Sequence, residues 1–302
     1  MKIVSVTPKV SCFSTPSALI PFYKLDEHNI VMIDSGFKRD GVMEKWLDDN
    51  KIRPVTIINT HAHIDHIMNN STLQKKYGSK IYMSSIEAAL SLTKLGQKAY
   101  YNPISYQSAK EFHKQIEFHT DYMINPDEKQ IVIEDATFRI IHSPGHSVDH
   151  ICIITPDDIC VVGDVLMSES MLKTSQISYS FCHEIDLLSK EYLKTLNCNS
   201  YVLAHKGIVD NIKPVVDSNI EYVKKKAEEI KALIKYPMGM DEIVQVVSEH
   251  FKLRGGEGLI GSSIVNLIRN YVEYLVSIEC VEVINFNNSN IYKCYPKMII
   301  WE

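Results

Sequence analysis

The sequence predicts an α/β (α+β) protein, with a large unit over residues 1–236 and a small α+β unit over 237–302. Three observations predict it. Short β-branched runs alternate with helical patterns through the first half. A long amphipathic stretch after His205 ends at Tyr236-Pro-Met-Gly239, where its periodicity breaks. Beyond the break, two helical patterns precede two short strand-like runs.

The elements follow in order. Met1 to Val6 reads as a first strand, its apolar run being too short for a signal peptide. Ile20 to Leu25 and Asn29 to Ile33 read as a hairpin around Asp26-Glu-His28. Val42 to Leu47 reads as a short helix and Pro54 to Asn59 as a buried strand. Asn69-Asn-Ser-Thr72 offers N-caps for a helix over Leu73 to Tyr77. Lys80 to Met83 is a strand, and Ser85 to Leu92 a helix. Residues 93–125 are less regular and carry Tyr100, Tyr101, Tyr106, His113, Phe118 and His119. They read equally as a lid insertion over a substrate pocket or as a decoration packed on outer helices. His113 and His119 stand six apart, share no helical face and are not read as ligands.

Later elements obey the same rules. Ala136 to His142 is strand-like. Pro214 suits the first turn of a helix whose stripe is Ile220, Val223, Ala227, Ile230 and Ile234. In the tail, Met240, Ile243, Val244, Val247 and Phe251 fit one helix. Ile264, Val265, Ile268, Tyr271, Val272 and Leu275 fit another, with Ser262 as its N-cap. Val281 to Val283 and Ile291 to Lys293 read as strands around Asn287-Asn-Ser-Asn290.

Composition bounds the class. A chain of 302 residues buries one large core or two modest ones. Its formal charge of −5 gives no global attraction to nucleic acid or anionic lipid. Seven scattered cysteines, without a C-x-x-C pair, read as reduced thiols of a cytoplasmic protein. No apolar stretch reaches about 18 residues, so no membrane span is expected.

The chemistry concentrates in Thr60-His-Ala-His-Ile-Asp-His66, an H-x-H-x-D-H cluster. Three imidazoles and a carboxylate crowded together are hard to explain as packing, because buried polar groups need partners. Such donors suit zinc, iron or manganese. His61 and His63 can converge on one ion, and Asp65 and His66 on a second. Further donors follow other strand-like runs: His146 in Ser143-Pro-Gly-His-Ser147, Asp164 after Val161-Val-Gly163, and His205 after Tyr201-Val-Leu-Ala204. Asp34 and Thr60 are candidates to orient imidazoles by accepting or relaying their other N–H. His150 reads first as a strand-start residue and second as a partner behind a ligand, and His142 reads as structural.

With these residues in order, and with Val31-Met-Ile-Asp-Ser-Gly36 ahead of them, the sequence resembles the metallo-β-lactamase-fold hydrolases over roughly residues 1–235. The resemblance implies an αββα sandwich. It implies that His61, His63 and His146 hold one ion, that Asp65, His66 and His205 hold another, and that Asp164 bridges them. The implied cofactors are two divalent metal ions, zinc first, with iron or manganese as alternatives. The implied reaction is hydrolysis by a bridging hydroxide that Asp65 orients as the catalytic carboxylate.

A small-molecule ester, thioester or lactone is the first expectation for substrate. The alternatives are a single-strand endoribonuclease or phosphodiesterase, a mononuclear-iron sulfur dioxygenase, and a non-catalytic ligand- or DNA-binding regulator. The tail resembles the small winged-helix domain that follows some family members. Its five basic residues stand against eight acidic ones. That balance opposes phosphate binding, which needs a concentrated basic face, and favours packing, homodimerisation or pocket closure.

Overall fold

The computed structural model describes residues 2–38, 41–101, 104–254, 259–287 and 289–295, without the side chains of 259–262. Seven strands form the first sheet in chain order: β1 (Lys2–Ser5), β2 (Val10–Ser14), β3 (Leu19–Lys24), β4 (Asn29–Ile33), β5 (Arg53–Ile58), β6 (Lys80–Ser84) and β7 (Tyr122–Ile124). Pairing is antiparallel through β4 and parallel from β4 to β7. The second sheet is built from β8 (Gln130–Ile133), β9 (Ala136–His142), β10 (Ile151–Ile154), β11 (Ile159–Gly163), β12 (Ser200–Leu203) and β13 (Gly207–Val209). Its spatial order is the reverse of its chain order, and only β11 and β12 pair parallel.

The helices are α1 (Val42–Asp49), α2 (Ile64–Ile67), α3 (Asn70–Tyr77), α4 (Ser85–Ser91), α5 (Lys94–Tyr100), α6 (Tyr106–Ile116), α7 (Glu169–Thr174), α8 (His183–Leu193), α9 (Lys213–Leu233), α10 (Met240–His250) and α11 (Leu259–Ser277). Strand alternation sorts the apolar residues into layers. In β4, Val31 and Ile33 enter the core between the sheets, while Ile30 and Met32 join the outer cluster with Met43, Leu47 and Leu73. In β11, Ile159 and Val161 face the first sheet, while Cys160 and Val162 pack outward with Leu193, Val216 and Ile220. Helix, sheet, sheet and helix stack as an αββα sandwich. Each aliphatic side chain so buried contributes about 1.5–3 kcal/mol.

Several elements differ from the sequence reading. The helix expected at Leu73 begins at Asn70, and the Asn69 side chain does not cap it. That amide instead donates to the carbonyls of Ser35 (2.8 Å) and Phe37 (3.0 Å), tying α3 to the loop after β4. Residues 93–125 do not form one insertion: β7, at their end, is the last strand of the first sheet. Within them, Phe112 and Ile116 of α6 pack on Ala62, Ile67 and Met83. Ser262 lies inside α11 and not at its cap. The turn read at Asn287 to Asn290 includes Asn288, which lies outside the described residues.

The tail adds a third sheet, β14 (Met238–Gly239), β16 (Ser289–Cys294) and β15 (Val281–Phe286), in the order β14-β16-β15. Met238 and Gly239, read as a break, pair with Tyr292 and Ile291. The tail's core does not stop at residue 236. Ile243, Val247, Ile268 and Val272 share one cluster with Val223, Ala227 and Ile230 of α9 and with Ile177. All seven cysteines are unpaired thiols. Among the described residues, no helix is long and apolar enough to cross a membrane.

Candidate metal centre

Topology gathers the donors. β4 and β5 run parallel and adjacent, so the loops carrying Asp34 and Thr60 to His66 leave the first sheet side by side. β9 and β11 both run antiparallel to β10, and β12 runs parallel to β11. His146, Asp164 and His205 therefore follow strands whose C-terminal ends point the same way, at one end of the second sheet. Imidazole nitrogens of His61, His63 and His146 lie within 4.8 Å of one another, as do donor atoms of Asp65, His66, Asp164 and His205. Asp164 joins the two groups. Its Oδ2 is 3.2 Å from His205 Nε2, 3.3 Å from His66 Nε2 and 3.6 Å from His146 Nε2.

Hydrogen bonds set which ring nitrogen faces inward. The Thr60 hydroxyl donates to Asp34 Oδ2 (2.8 Å), so it accepts from His61 Nδ1 (2.9 Å), leaving the His61 lone pair on Nε2. His66 Nδ1 donates to Asp34 Oδ2 (2.8 Å) and His205 Nδ1 donates to the Ser17 carbonyl (3.2 Å). Both rings then turn Nε2 toward the carboxylates, His205 Nε2 lying within hydrogen-bond distance of Asp164 Oδ2 (3.2 Å). His63 Nε2 meets the Tyr100 hydroxyl at 2.9 Å, while its Nδ1 faces His61 Nε2 (2.9 Å) and His146 Nε2 (3.0 Å). Asp34 adopts φ 63, a left-handed conformation that costs of order 1–3 kcal/mol outside glycine.

The crowding leaves some polar atoms without hydrogen-bond partners. His66 Nε2 and Asp164 Oδ1 are buried with none. Burial pushes His61 and His146 well below the ordinary imidazole value and His63 down to about 4, so these rings are neutral donors. On the other side burial is outweighed. Asp164 and Asp34 drive His66 well above its ordinary value, and hydrogen bonds to Asp164 and Asp65 raise His205 to about 10. Burial also opposes the charge of Asp65, yet His66 and His205 hold it at about 2. Such a site demands positive charge at its centre. Nitrogen and oxygen donors in this number fit divalent cations.

Two supporting residues, Glu87 and Tyr179, were not legible as such, and for a third, His150, the supporting role was only the second reading. Glu87 of α4 is fully buried, and burial raises its pKa. It accepts from the backbone N–H of Ala62 (3.0 Å) and of Asp149 (2.9 Å), joining the first histidine loop to the His146 loop. No local signal separates it from a surface glutamate. His150, read as a strand-start residue, does more: its Nε2 accepts from the Asp164 backbone N–H (3.2 Å). Gly163 permits this approach, since a Cβ there would lie 2.3 Å from His150 Nε2. Tyr179 faces His63 and His146 edge-on, with ring centroids 5.6 and 5.9 Å away. Asp34 and Thr60 do contact the imidazoles, as read. His142 bonds Asp149 Oδ1 (3.0 Å), and His113 bonds the Leu92 carbonyl (3.0 Å), away from the cluster.

Residues 22–207 match the model of the metallo-beta-lactamase superfamily. Among curated relatives, the hydroxyacylglutathione hydrolase of Pelagibacter ubique is 26% identical over 63% of this chain and 73% of its own length. The atrochrysone carboxyl ACP thioesterase of Aspergillus fumigatus is 22% identical over 66% of this chain; the match spans 54% of that protein. Among solved structures, a metallo-beta-lactamase family protein of Thermus thermophilus superposes with a TM-score of 0.70 over 97% of both chains, at 14% identity. A beta-lactamase domain protein of Burkholderia ambifaria gives 0.71 over 97% of this chain and 94% of its own, also at 14% identity. Both likenesses run through the tail as well as the sandwich. The chain belongs to the metallo-beta-lactamase superfamily, and it is a hydrolase of that superfamily.

Proposed function

We propose that the chain hydrolyses a small-molecule thioester or related ester at a centre of two divalent cations, zinc foremost. His61, His63 and His146 would hold one, Asp65, His66 and His205 the other, and Asp164 both. One observation carries this reading: Asp164 Oδ2 lies 3.2 to 3.6 Å from imidazole nitrogens of both groups. When bound, such ions polarise a carbonyl and lower the pKa of water from 15.7 toward about 7.

The chain's own residues do the rest. Asp65, a carboxylate at neutral pH, would orient an attacking water by accepting its hydrogen bond. Asp34, Thr60, Ser17 and Tyr100 fix the imidazole orientations, which avoids reorganisation during reaction. A cavity of about 210 Å³ opens on His146, Asp164 and His205, with Leu166, Met167, Ile177 and Tyr179 in its lining. Its size and partly apolar lining suit a small acyl group. Thioesters are favoured because two of the similar proteins are named as a hydroxyacylglutathione hydrolase and an ACP thioesterase.

The test combines metal analysis with a substrate panel of S-acyl thioester, lactone, phosphodiester and single-stranded RNA. Metal-dependent thioester turnover supports the proposal. Turnover confined to the phosphodiester or RNA overturns it.

A further inference from the structure

The wall of this cavity nearest Tyr179 is fastened by the tail. Residues 175–182, between α7 and α8, have no regular secondary structure, and Ser175, Ile177, Ser178, Tyr179 and Ser180 among them line the cavity. The two neighbours of Tyr179 are both tied to α11. The Tyr271 hydroxyl meets Ser178 Oγ at 2.9 Å, and Asn270 Nδ2 donates to the Ser180 carbonyl at 2.6 Å. A third tie lies just beyond: the His183 ring packs on Tyr271 with centroids 3.9 Å apart. Ile177 completes the seam by joining the tail's apolar cluster. Elsewhere the segment is held where it meets the site, by Phe181 N–H on the His146 carbonyl (3.1 Å) and Cys182 N–H on the Gly145 carbonyl (3.0 Å), and at its start by the Tyr222 hydroxyl of α9, which donates to the Ser175 carbonyl (3.0 Å).

We infer that Asn270 and Tyr271 are positioning residues that set Tyr179 in the substrate cavity, so that the small C-terminal unit is part of the substrate site. The inference rests on the reading of this cavity as the place where the acyl group binds. The physical reason is local. An irregular segment has no ladder of its own to hold a side chain in place, so its order comes from side-chain ties on either flank. Tyr271 is fully buried, so its hydroxyl gains most from a partner, and Ser178 is the one it finds. Tyr179 itself lines the cavity and can present a hydroxyl donor or a ring face to substrate. Among the described residues, no hydrogen bond, ion pair or ring contact joins a metal donor to α11. Loosening the wall therefore changes substrate affinity before it changes metal binding.

The experiment compares the full-length wild type with Asn270→Ala, Tyr271→Phe and a control, Tyr236→Phe. The Phe variant at 271 keeps the ring and its stack on His183 while losing the hydroxyl. Tyr236 is an exposed tyrosine just before the tail, bonded to Glu242, away from the cavity. Amide hydrogen exchange and steady-state kinetics on an S-acylglutathione are measured at equal metal content. Expected for both test variants are exchange about tenfold faster within 175–182 alone, and KM raised about tenfold with kcat within about threefold. The control should match wild type. Unchanged exchange over 175–182, or faster exchange with unaltered KM, overturns the inference. A wild type that splits no thioester sinks the proposed reaction instead, and the exchange arm then decides the fastening by itself.

Discussion

Asp34 Oδ2 accepts from Nδ1 of His66 at 2.8 Å, across 32 residues of sequence. The same carboxylate takes the backbone N–H and the hydroxyl of Thr60, each at 2.8 Å. One side chain thus orients His66 directly and His61 through Thr60. Asp34→Ala should weaken metal binding about 10–100-fold, the usual cost of losing a partner behind a ligand. Competition against a chromogenic chelator measures this, and unchanged affinity would show that packing alone aims the rings.

Gly163 carries the backbone past His150 with φ 55. A Cβ there would lie 2.3 Å from His150 Nε2 and 2.8 Å from its Cε1. Gly163→Ala should lower unfolding free energy by about 2 kcal/mol or more, from strain and overpacking together. Denaturant unfolding of the metal-free protein tests it. A loss below about 0.5 kcal/mol, the ordinary range for a harmless surface change, would mean that His150 swings aside freely.

Glu87 satisfies two backbone donors from opposite sides of the site. Glu87→Gln keeps the size but presents an NH2 group to one of those N–H donors. A buried donor left unmatched costs about 1–3 kcal/mol. The variant should be less stable by that amount and should bind metal more weakly, read by thermal unfolding with and without added ions. Full stability would contradict the clamp.

His142 supplies a pH dependence. Its hydrogen bond to Asp149 raises its pKa above the ordinary imidazole value, against a smaller opposing effect of burial. A raised folded-state pKa contributes stability that is fully present below the unfolded value near 6.5 and is lost as pH rises through the folded value. The Tm gap between wild type and His142→Asn should be largest near pH 5 and shrink toward pH 9. A gap that stays constant would rule out the charged pair.

Much of this centre is legible in the sequence because its donors sit where apolar runs stop. His61, His146, Asp164 and His205 each follow a buried strand closely, and strand periodicity is a local signal. Asp34 is legible for the same reason. What stays hidden depends on contacts between distant segments. Glu87 looks like any helix glutamate until α4 is laid against the loops of Ala62 and Asp149. Tyr179 sits in a stretch without periodicity, and its place follows from Asn270 and Tyr271, about ninety residues on. β7 is three residues long, so its membership of the first sheet shows only in its pairing with β6. The tail's helices are legible from their stripes, whereas the core they share with α9 is not, because an amphipathic stripe does not name its partner.

The central claim is that Asp164 joins two groups of donors around a pair of cations. Metal content per chain, measured by elemental analysis on reconstituted wild type and on Asp164→Ala, tests it most directly. Two divalent ions in the wild type, fewer than two in the variant, and loss of turnover with them is the predicted result. One ion or none in the wild type, or an undiminished pair in the variant, would contradict it.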